Sequence, residues 1–389
     1  MSVSCWDPLC LLDIKPRPQL PCSAIDNPII ERIDYEFLKL KKYIWKTGSS
    51  LNAPIDPLIN AINLLYDEKN DIFAGIELSK CWQLFVHKIT RLLLEKLAFE
   101  ELRASRAYQL STADQVLRAD SLERNGYFTT ILPQEAIAKI KLMLRPQLHE
   151  IKTNLASGRS SREELSTNEI PAPIVEYLNA LFAELDLLYP LQAYTGGITN
   201  VSGFALEISA PQAEWWSARL PKGQRPEAST AYFHRDETCF VPKALVYLSD
   251  VDDDCGPFSV CPSSYGQEKS EVCAAASRVN NYPYQVGSAI LAKSDIQLFR
   301  DNLPKCLNID SHYGFDIPNS SVVADTILQD EIRFCGKSGT CVVFDGYNVL
   351  HRGGLATRRP RLALQVMLPI HIPNLHSLLQ HTTKLAFIG

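Results

Sequence analysis

Short apolar segments separated by turn residues recur through the second half of the chain, and they constrain its fold more than any other feature. The segments have the length of strands and are rich in β-branched and aromatic residues, as strands usually are. We predict strands over Leu191–Ile198, Gly203–Ser209, Ser229–Asp236, Lys243–Ser249, Phe258–Cys261, Thr340–Phe344 and Arg361–Leu368. Short strands joined by turns indicate a β-sandwich or barrel.

The first part of the chain instead carries apolar residues at helical spacing. Asn27 followed by Pro28 is typical of a helix start, because the asparagine can cap the helix and the proline fits its first turn. Further helices are predicted over residues 57–66 and 78–108. The first helix, residues 29–45, has an apolar stripe that consists of Ile30, Ile33, Phe37, Leu40 and Ile44.

These patterns divide the chain into two predicted domains. The first is a mostly helical N-terminal extension over residues 1–122, which begins with an extended arm over residues 1–25. The second covers residues 123–389. We favour a helical layer packed on the second domain. The alternative is a separate recognition or dimerisation module, through which the chain would form a homodimer.

Between the helices and the strands the sequence changes character. Residues 126–132 form a short β-like run, and single helices are predicted over residues 133–157 and 171–189. Residues 264–339 carry no strong strand pattern, and a structureless loop of this length is unusual in a compact domain. We expect short helices here, which form an insert or lid over the site described below.

Composition and charge narrow the classes of function. The chain has 389 residues, of which 46% are hydrophobic and 21% charged, as is ordinary for a globular protein with a sizeable core. Its net charge of -5 gives no reason to expect nucleic acid or an anionic membrane surface as a partner. The apolar stretch at Leu92–Phe99 is interrupted by charges and is far shorter than the ~20 residues that span a bilayer.

The cysteines and the N-terminus indicate a compartment. The 11 cysteines are scattered without a Cys-x-x-Cys pair, which favours reduced thiols over a disulfide framework or a zinc site. The N-terminus lacks the basic region and long apolar core of a signal peptide. We therefore expect a cytoplasmic protein that acts on a small-molecule substrate.

The segment Phe233–Asp236, which reads Phe-His-Arg-Asp, has the clearest chemical content. Successive side chains of a strand point to opposite faces, so His234 and Asp236 share one face. A distant histidine would complete the two-histidine, one-carboxylate facial triad of non-haem Fe(II) oxygenases, and His351 is the best candidate. The alternatives are a surface strand with an Arg–Asp pair and a structural histidine at position 351.

Four segments that follow one another along the chain resemble a known family. They are Asn125–Glu135, Phe233–Asp236, the strand–turn–strand at Tyr247–Ser264, and Gly339–Gly354 with Arg361 beyond it. Together they resemble the phytanoyl-CoA dioxygenase-type family over residues 123–370. Three departures bear on the substrate: Pro-Ser-Ser-Tyr at 262–265 in place of Pro-Gly-Ser-His, a long spacing between the two histidines, and a long loop at 211–228.

The resemblance implies a fold, a set of ligands and a set of co-substrates. The fold is α+β, with a double-stranded β-helix (jelly-roll, cupin-like) core and flanking helices. The ligands of Fe(II) are His234, Asp236 and His351, and the co-substrates are 2-oxoglutarate and O2. The aspartate favours hydroxylation or a related oxidation, because halogenases of related fold have a small residue in place of the carboxylate.

The resemblance also implies an arginine that holds the far carboxylate of 2-oxoglutarate. Arg361 opens a strand on which it shares a face with Ala363 and Gln365, and an arginine inside a barrel would need an anion. A planar guanidinium binds a carboxylate through two hydrogen bonds, so 2-oxoglutarate fits. Arg359 is the alternative, although it precedes Pro360 and is more typical of a turn.

Two tyrosines are further candidates for contact with the cofactor or the substrate. Tyr232 shares the face of His234 and Asp236, and Tyr247 lies on the next strand. Each tyrosine has a competing structural interpretation as a side chain packed at the mouth of the barrel.

The activity implied by the resemblance is that of an Fe(II)- and 2-oxoglutarate-dependent dioxygenase. Such an enzyme oxidises an unactivated C–H bond of a small molecule, such as a biosynthetic intermediate, and releases succinate and CO2. Hydroxylation, desaturation, ring closure and epimerisation stay open. The alternatives are a catalytically inactive jelly-roll binding or sensor protein, and a metalloenzyme of the same fold that does not use 2-oxoglutarate.

Overall fold

The computed structural model shows mixed helices and antiparallel sheets. Predictions for the N-terminal arm, for Tyr232 and for most of the loop at 211–228 lie outside the residues that it describes. The described residues are 27–50, 52–68, 76–105, 110–156, 162–165, 171–211, 233–264, 270–279, 285–286, 289–290, 298–304, 306–308, 329–354 and 356–385.

The first helix, α1 (Pro28–Thr47), follows its sequence prediction closely. Asn27 caps it, and its side-chain oxygen accepts hydrogen bonds from the backbone N–H of Ile29 at 3.0 Å and of Ile30 at 3.2 Å. The helix ends at Gly48, whose φ of 70° favours glycine. The apolar stripe is confirmed, because its members are the buried residues of the helix and each is at most 2% exposed.

The helices supply residues to two large buried apolar clusters. The cluster of buried apolar residues that includes α1, α2, α3, α9 and α10 is called the helical unit below. Within it, the rings of Trp82 and Phe85 stack with centroids 5.9 Å apart. The further helices are α2 (Asp56–Glu68), α3 (Ile76–Ser105), α4 (Ala113–Asn125), α5 (Gln134–Met143), α6 (Arg145–Ala156), α7 (Ala172–Glu184), α8 (Leu188–Thr195), α9 (Glu271–Val279) and α10 (Leu375–Leu379).

Several helix and strand predictions were wrong. Residues 133–157 form α5 and α6 rather than one helix, because Pro146 suits the first turn of a new helix better than the interior of an old one. Residues 171–189 are also divided, with Asp186 at a φ of 55° between α7 and α8. Residues 191–198, predicted as a strand, belong mostly to α8, where Leu191 and Tyr194 are both buried.

Eleven strands are present in the described residues, and six of them form the larger sheet in the order β1–β9–β4–β11–β3–β2. All of its neighbouring pairs are antiparallel. The strands are β1 (Tyr127–Ile131), β2 (Arg162–Leu165), β3 (Gly203–Ser209), β4 (Lys243–Tyr247), β5 (Ser259–Cys261), β6 (Gln285–Val286), β7 (Ala289–Ile290), β8 (Ile332–Arg333), β9 (Thr340–Phe344), β10 (Leu350–Arg352) and β11 (Arg361–Met367). The predicted bounds of β3 and β9 are confirmed.

The larger sheet has a different apolar core on each face. On one face, Leu364 and Val366 of β11 are buried in a cluster with residues of α5 to α8. A second, smaller sheet has the strand order β10–β5–β8. On the other face of the larger sheet, Ala363 lies in a cluster with Val260 on β5 and with Phe258, which directly precedes β5. The predicted alternation of β11 is therefore confirmed, and it directs Arg361 toward the space between the two sheets.

Two further findings concern the described residues as a whole. None of their helices combines the length and the apolar character needed to cross a lipid bilayer. None of their eight cysteines forms a disulfide bond with another of the eight.

Candidate metal centre

The two predicted histidine ligands lie directly opposite each other on neighbouring backbone segments. The N–H of His234 donates to the carbonyl of His351 at 3.0 Å, and the N–H of His351 donates to the carbonyl of His234 at 3.0 Å. Their ring centroids are 4.4 Å apart. Since β10 also pairs with β5, where His351 faces Val260, the smaller sheet holds both imidazoles in register.

Asp236 completes a cluster of three potential ligand atoms. One nitrogen of each histidine and one carboxylate oxygen of Asp236 all lie within 4.8 Å of one another. His351 Nε2 is 3.7 Å from Asp236 Oδ1. The three side chains come from the predicted segments and are buried, with 5–7% exposure.

A tight turn at residues 345–348 shapes one wall of the cluster. The backbone N–H of Asp236 donates to the carbonyl of Gly346 at 2.7 Å. A β-carbon at position 346 would overlap the Asp236 carboxylate and would lie 2.9 Å from His351 Cε1. Glycine is therefore required here by space, whereas the sequence indicated only a turn.

The turn is itself held by the carboxylate of Asp345, which is 2% exposed. Its Oδ2 accepts a hydrogen bond from the Tyr194 hydroxyl at 2.6 Å and another from Asn348 Nδ2 at 2.7 Å. Its Oδ1 accepts from the Tyr347 N–H at 3.0 Å. Helix α8 thus supports the turn through Tyr194, which explains why a buried carboxylate is tolerated at this position.

The environment of His351 leaves one of its ring nitrogens unprotonated, so that this nitrogen can bind a metal. Its Nδ1 lies 3.1 Å from the carbonyl of Val349, which can only accept, so Nδ1 carries the proton and Nε2 keeps its lone pair. Burial lowers the pKa of His351 to about 3, although Asp236 opposes the shift. The imidazole is therefore neutral near pH 7, as ligation requires.

Lys243, at the start of β4, forms an ion pair with the Asp236 carboxylate. Its Nζ lies 2.8 Å from Oδ1. Burial alone would raise the pKa of Asp236, but Lys243 and the two histidines hold this pKa below its ordinary value. The sequence analysis missed this pair, because Lys243 was predicted only as the beginning of a strand.

The donor set fits a divalent metal ion such as Fe(II). Two imidazole nitrogens and one anionic oxygen form the 2-His-1-carboxylate set that leaves further positions open on iron. Oδ2 of Asp236 is buried and has no hydrogen-bond partner among the described residues, which is costly for a carboxylate oxygen unless a cation compensates it. A cavity of about 220 Å³ is lined by Asp236 together with Glu237, Thr238, Val241 and Lys243.

Arg361 lies between the sheets, as the alternation of its strand predicted, and is 1% exposed. One nitrogen, Nη1, donates to the carbonyls of Gly256 and Gly353, and Nη2 donates to Ser209 Oγ at 3.1 Å. Its Nε is buried without a hydrogen-bond partner in the described part of the chain. Burial lowers the pKa of Arg361, and neighbouring Tyr247 opposes that shift.

The other candidate residues have different surroundings. Arg359 lies at the surface, where its side chain is 59% exposed and forms an ion pair with Asp252. Tyr247 is fully buried, and its hydroxyl donates to the Phe334 carbonyl at 2.8 Å and accepts from the Phe258 N–H at 2.9 Å. This hydroxyl therefore connects β4 to the segments of the smaller sheet, while the contact of Tyr247 with a cofactor stays a prediction.

Comparisons with known proteins give likenesses of structure only. No family model matches the chain, and no curated protein matches its sequence. The epimerase SnoN, in complex with Fe3+, alpha ketoglutarate and nogalamycin RO, shares 14% identity over 66% of this chain and 84% of that chain, with a TM-score of 0.36. EctD from S. alaskensis, with 2-oxoglutarate and 5-hydroxyectoine, shares 16% identity over 68% and 80%, with a TM-score of 0.37.

A third solved structure is similar to the same extent. The non-heme alpha ketoglutarate dependent carbocyclase SnoK from nogalamycin biosynthesis shares 14% identity over 67% of this chain and 85% of that chain, with a TM-score of 0.38. These neighbours are iron and 2-oxoglutarate enzymes. At TM-scores this low the likenesses decide nothing about this chain, and its function is inferred from its own residues.

Proposed function

We propose that this protein is an Fe(II)- and 2-oxoglutarate-dependent oxygenase in which His234, Asp236 and His351 hold the iron. The observation that carries the proposal is the convergence of these three buried side chains, with the partnerless Oδ2 of Asp236 among the described residues. When bound there, Fe(II) would supply the activation of O2 that is coupled to decarboxylation of 2-oxoglutarate to succinate and CO2.

The residues of the chain have separate tasks in this proposal. His351 presents Nε2 because the Val349 carbonyl holds the proton on Nδ1. Arg361 anchors the far carboxylate of 2-oxoglutarate from the space between the sheets, where its charge is shielded from water. The rings of Phe344 and Phe258 lie 4.9 Å and 6.0 Å from the His351 ring and exclude water from that side.

The proposal extends to the fold and the substrate class. Two facing antiparallel sheets support the interpretation as a double-stranded β-helix of the phytanoyl-CoA dioxygenase type, since His351 lies on the smaller sheet and His234 pairs with it through an isolated bridge. The substrate is a small molecule that carries an unactivated C–H bond, and its oxidised product is an alcohol or the result of desaturation, ring closure or epimerisation.

A second candidate function has one specific observation in its favour. The Nη1 and Nη2 atoms of Arg361 already donate to two backbone carbonyls and a serine hydroxyl, so both terminal nitrogens are engaged without an anion. A metalloenzyme of the same fold that does not use 2-oxoglutarate would retain such an arginine for structure alone.

An anaerobic titration with Fe(II) and then 2-oxoglutarate separates these candidates. The proposal requires a visible metal-to-ligand charge-transfer band in the wild-type protein and a weaker or absent band in Asp236→Ala. Iron binding without the band supports the second candidate. A folded protein that binds neither metal nor 2-oxoglutarate overturns the enzymatic proposal and leaves a jelly-roll binding or sensor protein.

A further inference from the structure

Arg278 of α9 is a fully buried arginine that reaches the turn at residues 345–348. Its Nη2 donates to the carbonyl of Tyr347 at 2.6 Å, and its Nη1 donates to the carbonyl of Ala274 in its own helix at 2.8 Å. Its guanidinium carbon is also 3.7 Å from the centroid of the Tyr347 ring, a cation–π geometry. A buried guanidinium needs such partners, so these contacts tie Tyr347 to α9.

Helix α3 packs against the same tyrosine. The Tyr347 ring belongs to a small apolar cluster with Phe99 of α3 and Cys239. Lys96 of α3, which is 7% exposed, places its Nζ 5.2 Å from the centroid of that ring. Two helices of the helical unit therefore contact one residue of the turn.

The turn links the position of Tyr347 to that of the candidate metal ligand Asp236. Gly346 precedes Tyr347, and its carbonyl accepts the backbone N–H of Asp236 at 2.7 Å. The α-carbon of Gly346 also lies so close to the Asp236 carboxylate that no side chain fits between them. A displacement of Tyr347 would therefore move the wall against which the Asp236 carboxylate rests.

Helix α9 is in turn fixed by α1. The N–H of Val272, in the first turn of α9, donates to Asp34 Oδ1 of α1 at 3.1 Å. Ser270 also forms a hydrogen bond with the Asp34 side chain. A side chain of α1 thus satisfies the orphan N–H groups at the start of α9, a cap supplied from another helix.

We infer that Arg278 is a positioning residue for the Asp236 carboxylate, and that the N-terminal helices act on the metal centre through it. The chain of contacts runs from Asp34 through α9 and Arg278 to Tyr347, Gly346 and Asp236. The inference rests on the proposed function only in taking Asp236 as a metal ligand. It assigns the N-terminal helices a part in the geometry of the site.

The test compares Arg278→Met and Arg278→Lys with a matched control, Arg118→Met. Arg118 also donates to a backbone carbonyl, that of Leu185 at 2.9 Å, and lies 5.6 Å from the centroid of the Phe128 ring. Two properties are measured in the full-length protein. One is the hydrogen exchange of the Asp236 amide without metal, and the other is the affinity for Co(II) alone.

We expect faster exchange of the Asp236 amide in Arg278→Met, and Co(II) binding weakened by about 10- to 100-fold, the usual effect of removing a residue that orients a ligand. Arg278→Lys should partly restore the slow exchange of the Asp236 amide and the Co(II) affinity, because it keeps a cation beside the Tyr347 ring. Arg118→Met should leave both unchanged even where it lowers the melting temperature. Asp34→Ala should also speed the exchange of the Asp236 amide and weaken Co(II) binding, but by less than Arg278→Met does.

Unchanged Asp236 exchange in folded Arg278→Met overturns the inference, and unchanged exchange in Asp34→Ala does so where Arg278→Met fails to fold. So does equal weakening of Co(II) binding in Arg118→Met at the same loss of thermal stability. If the wild-type protein binds neither Co(II) nor 2-oxoglutarate, the proposed function fails, while the exchange measurement on the metal-free protein still decides the positioning role.

Discussion

Gly346 lies against the carboxylate of Asp236, so that a β-carbon on the glycine would occupy the space of Oδ2. The turn and the carboxylate thus fit together only without a side chain at position 346. This relationship makes the candidate metal centre sensitive to the addition of a single methyl group.

We predict that Gly346→Ala abolishes metal binding while the protein still folds. The added methyl group overlaps the Asp236 carboxylate and lies close to His351, so it displaces the ligands. Gly48→Ala is the control, because a β-carbon at position 48 meets nothing within 4 Å and only the left-handed backbone costs roughly 1–2 kcal/mol. Co(II) titration measures the difference, and full binding by folded Gly346→Ala would contradict the prediction.

The ion pair between Lys243 and Asp236 predicts a stability that depends on metal. Lys243→Met leaves a buried carboxylate poorly compensated, which costs up to roughly 3–5 kcal/mol in the metal-free protein. A bound divalent cation compensates the same carboxylate, so metal should raise the melting temperature more in Lys243→Met than in the wild type. Lys337→Met, which removes an exposed pair with Asp250 of the same 2.8 Å length, should show the wild-type gain.

The two candidate arginines are separated by their surroundings. Arg361→Met should weaken 2-oxoglutarate binding roughly 10- to 100-fold, because a hydrogen bond to a charged group contributes about 1.5–3 kcal/mol. Iron binding should be kept. Arg359→Met should bind 2-oxoglutarate normally, since Arg359 pairs with Asp252 at the surface. The charge-transfer titration reports both affinities, and the reverse order would assign the cofactor arginine to position 359.

The buried Glu100 of α3 predicts a loss of stability in acid. Burial raises the pKa of Glu100, but Lys96, Lys41 and Arg103 outweigh it and hold the pKa below its ordinary value of 4.5. A folded-state pKa below the unfolded value stabilises the protein above pH 4.5, and this contribution disappears as the pH falls through the folded-state pKa. Glu100→Gln should therefore lose stability at pH 7 and differ progressively less from the wild type below pH 4.5.

Urea unfolding at several pH values measures this difference. Glu150→Gln, at an exposed position of α6, is the control and should unfold like the wild type at every pH. A constant difference between Glu100→Gln and the wild type across the acid range would contradict the prediction.

Periodicity predicted the elements whose burial follows one face. The stripe of α1 and the bounds of β3 and β9 could be found because each buries a regular set of side chains. Residues 191–198 could not, since α8 is buried on several sides by neighbouring helices and its sequence has no helical alternation. Helix α4 was not predicted as a separate helix, although its Thr112 cap, which accepts the Gln115 N–H at 3.2 Å, was a readable signal.

The candidate site was predictable where chemistry and spacing coincide. His234 and Asp236 were predicted to share one face of a strand, and His351 to follow a buried strand, so residue type and position were both informative. The strand itself was predicted wrongly in its described part, because His234 forms only an isolated bridge and Asp236 lies outside any strand. Lys243 and Arg278 were missed because their contacts with Asp236 and Tyr347 depend on how the chain folds back. No pattern within either local segment marks such a contact.

The pairing of His234 with His351 has a consequence for when metal can enter the protein. The two imidazoles meet across one pair of backbone hydrogen bonds between segments that are far apart in sequence. A growing chain on the ribosome therefore has only a partial ligand set until β10 has emerged and paired. Iron would then bind only after this part of the chain has folded. The geometry of the folded site would select among divalent ions, whereas side chains of an unfolded chain would bind whichever ion has the highest affinity.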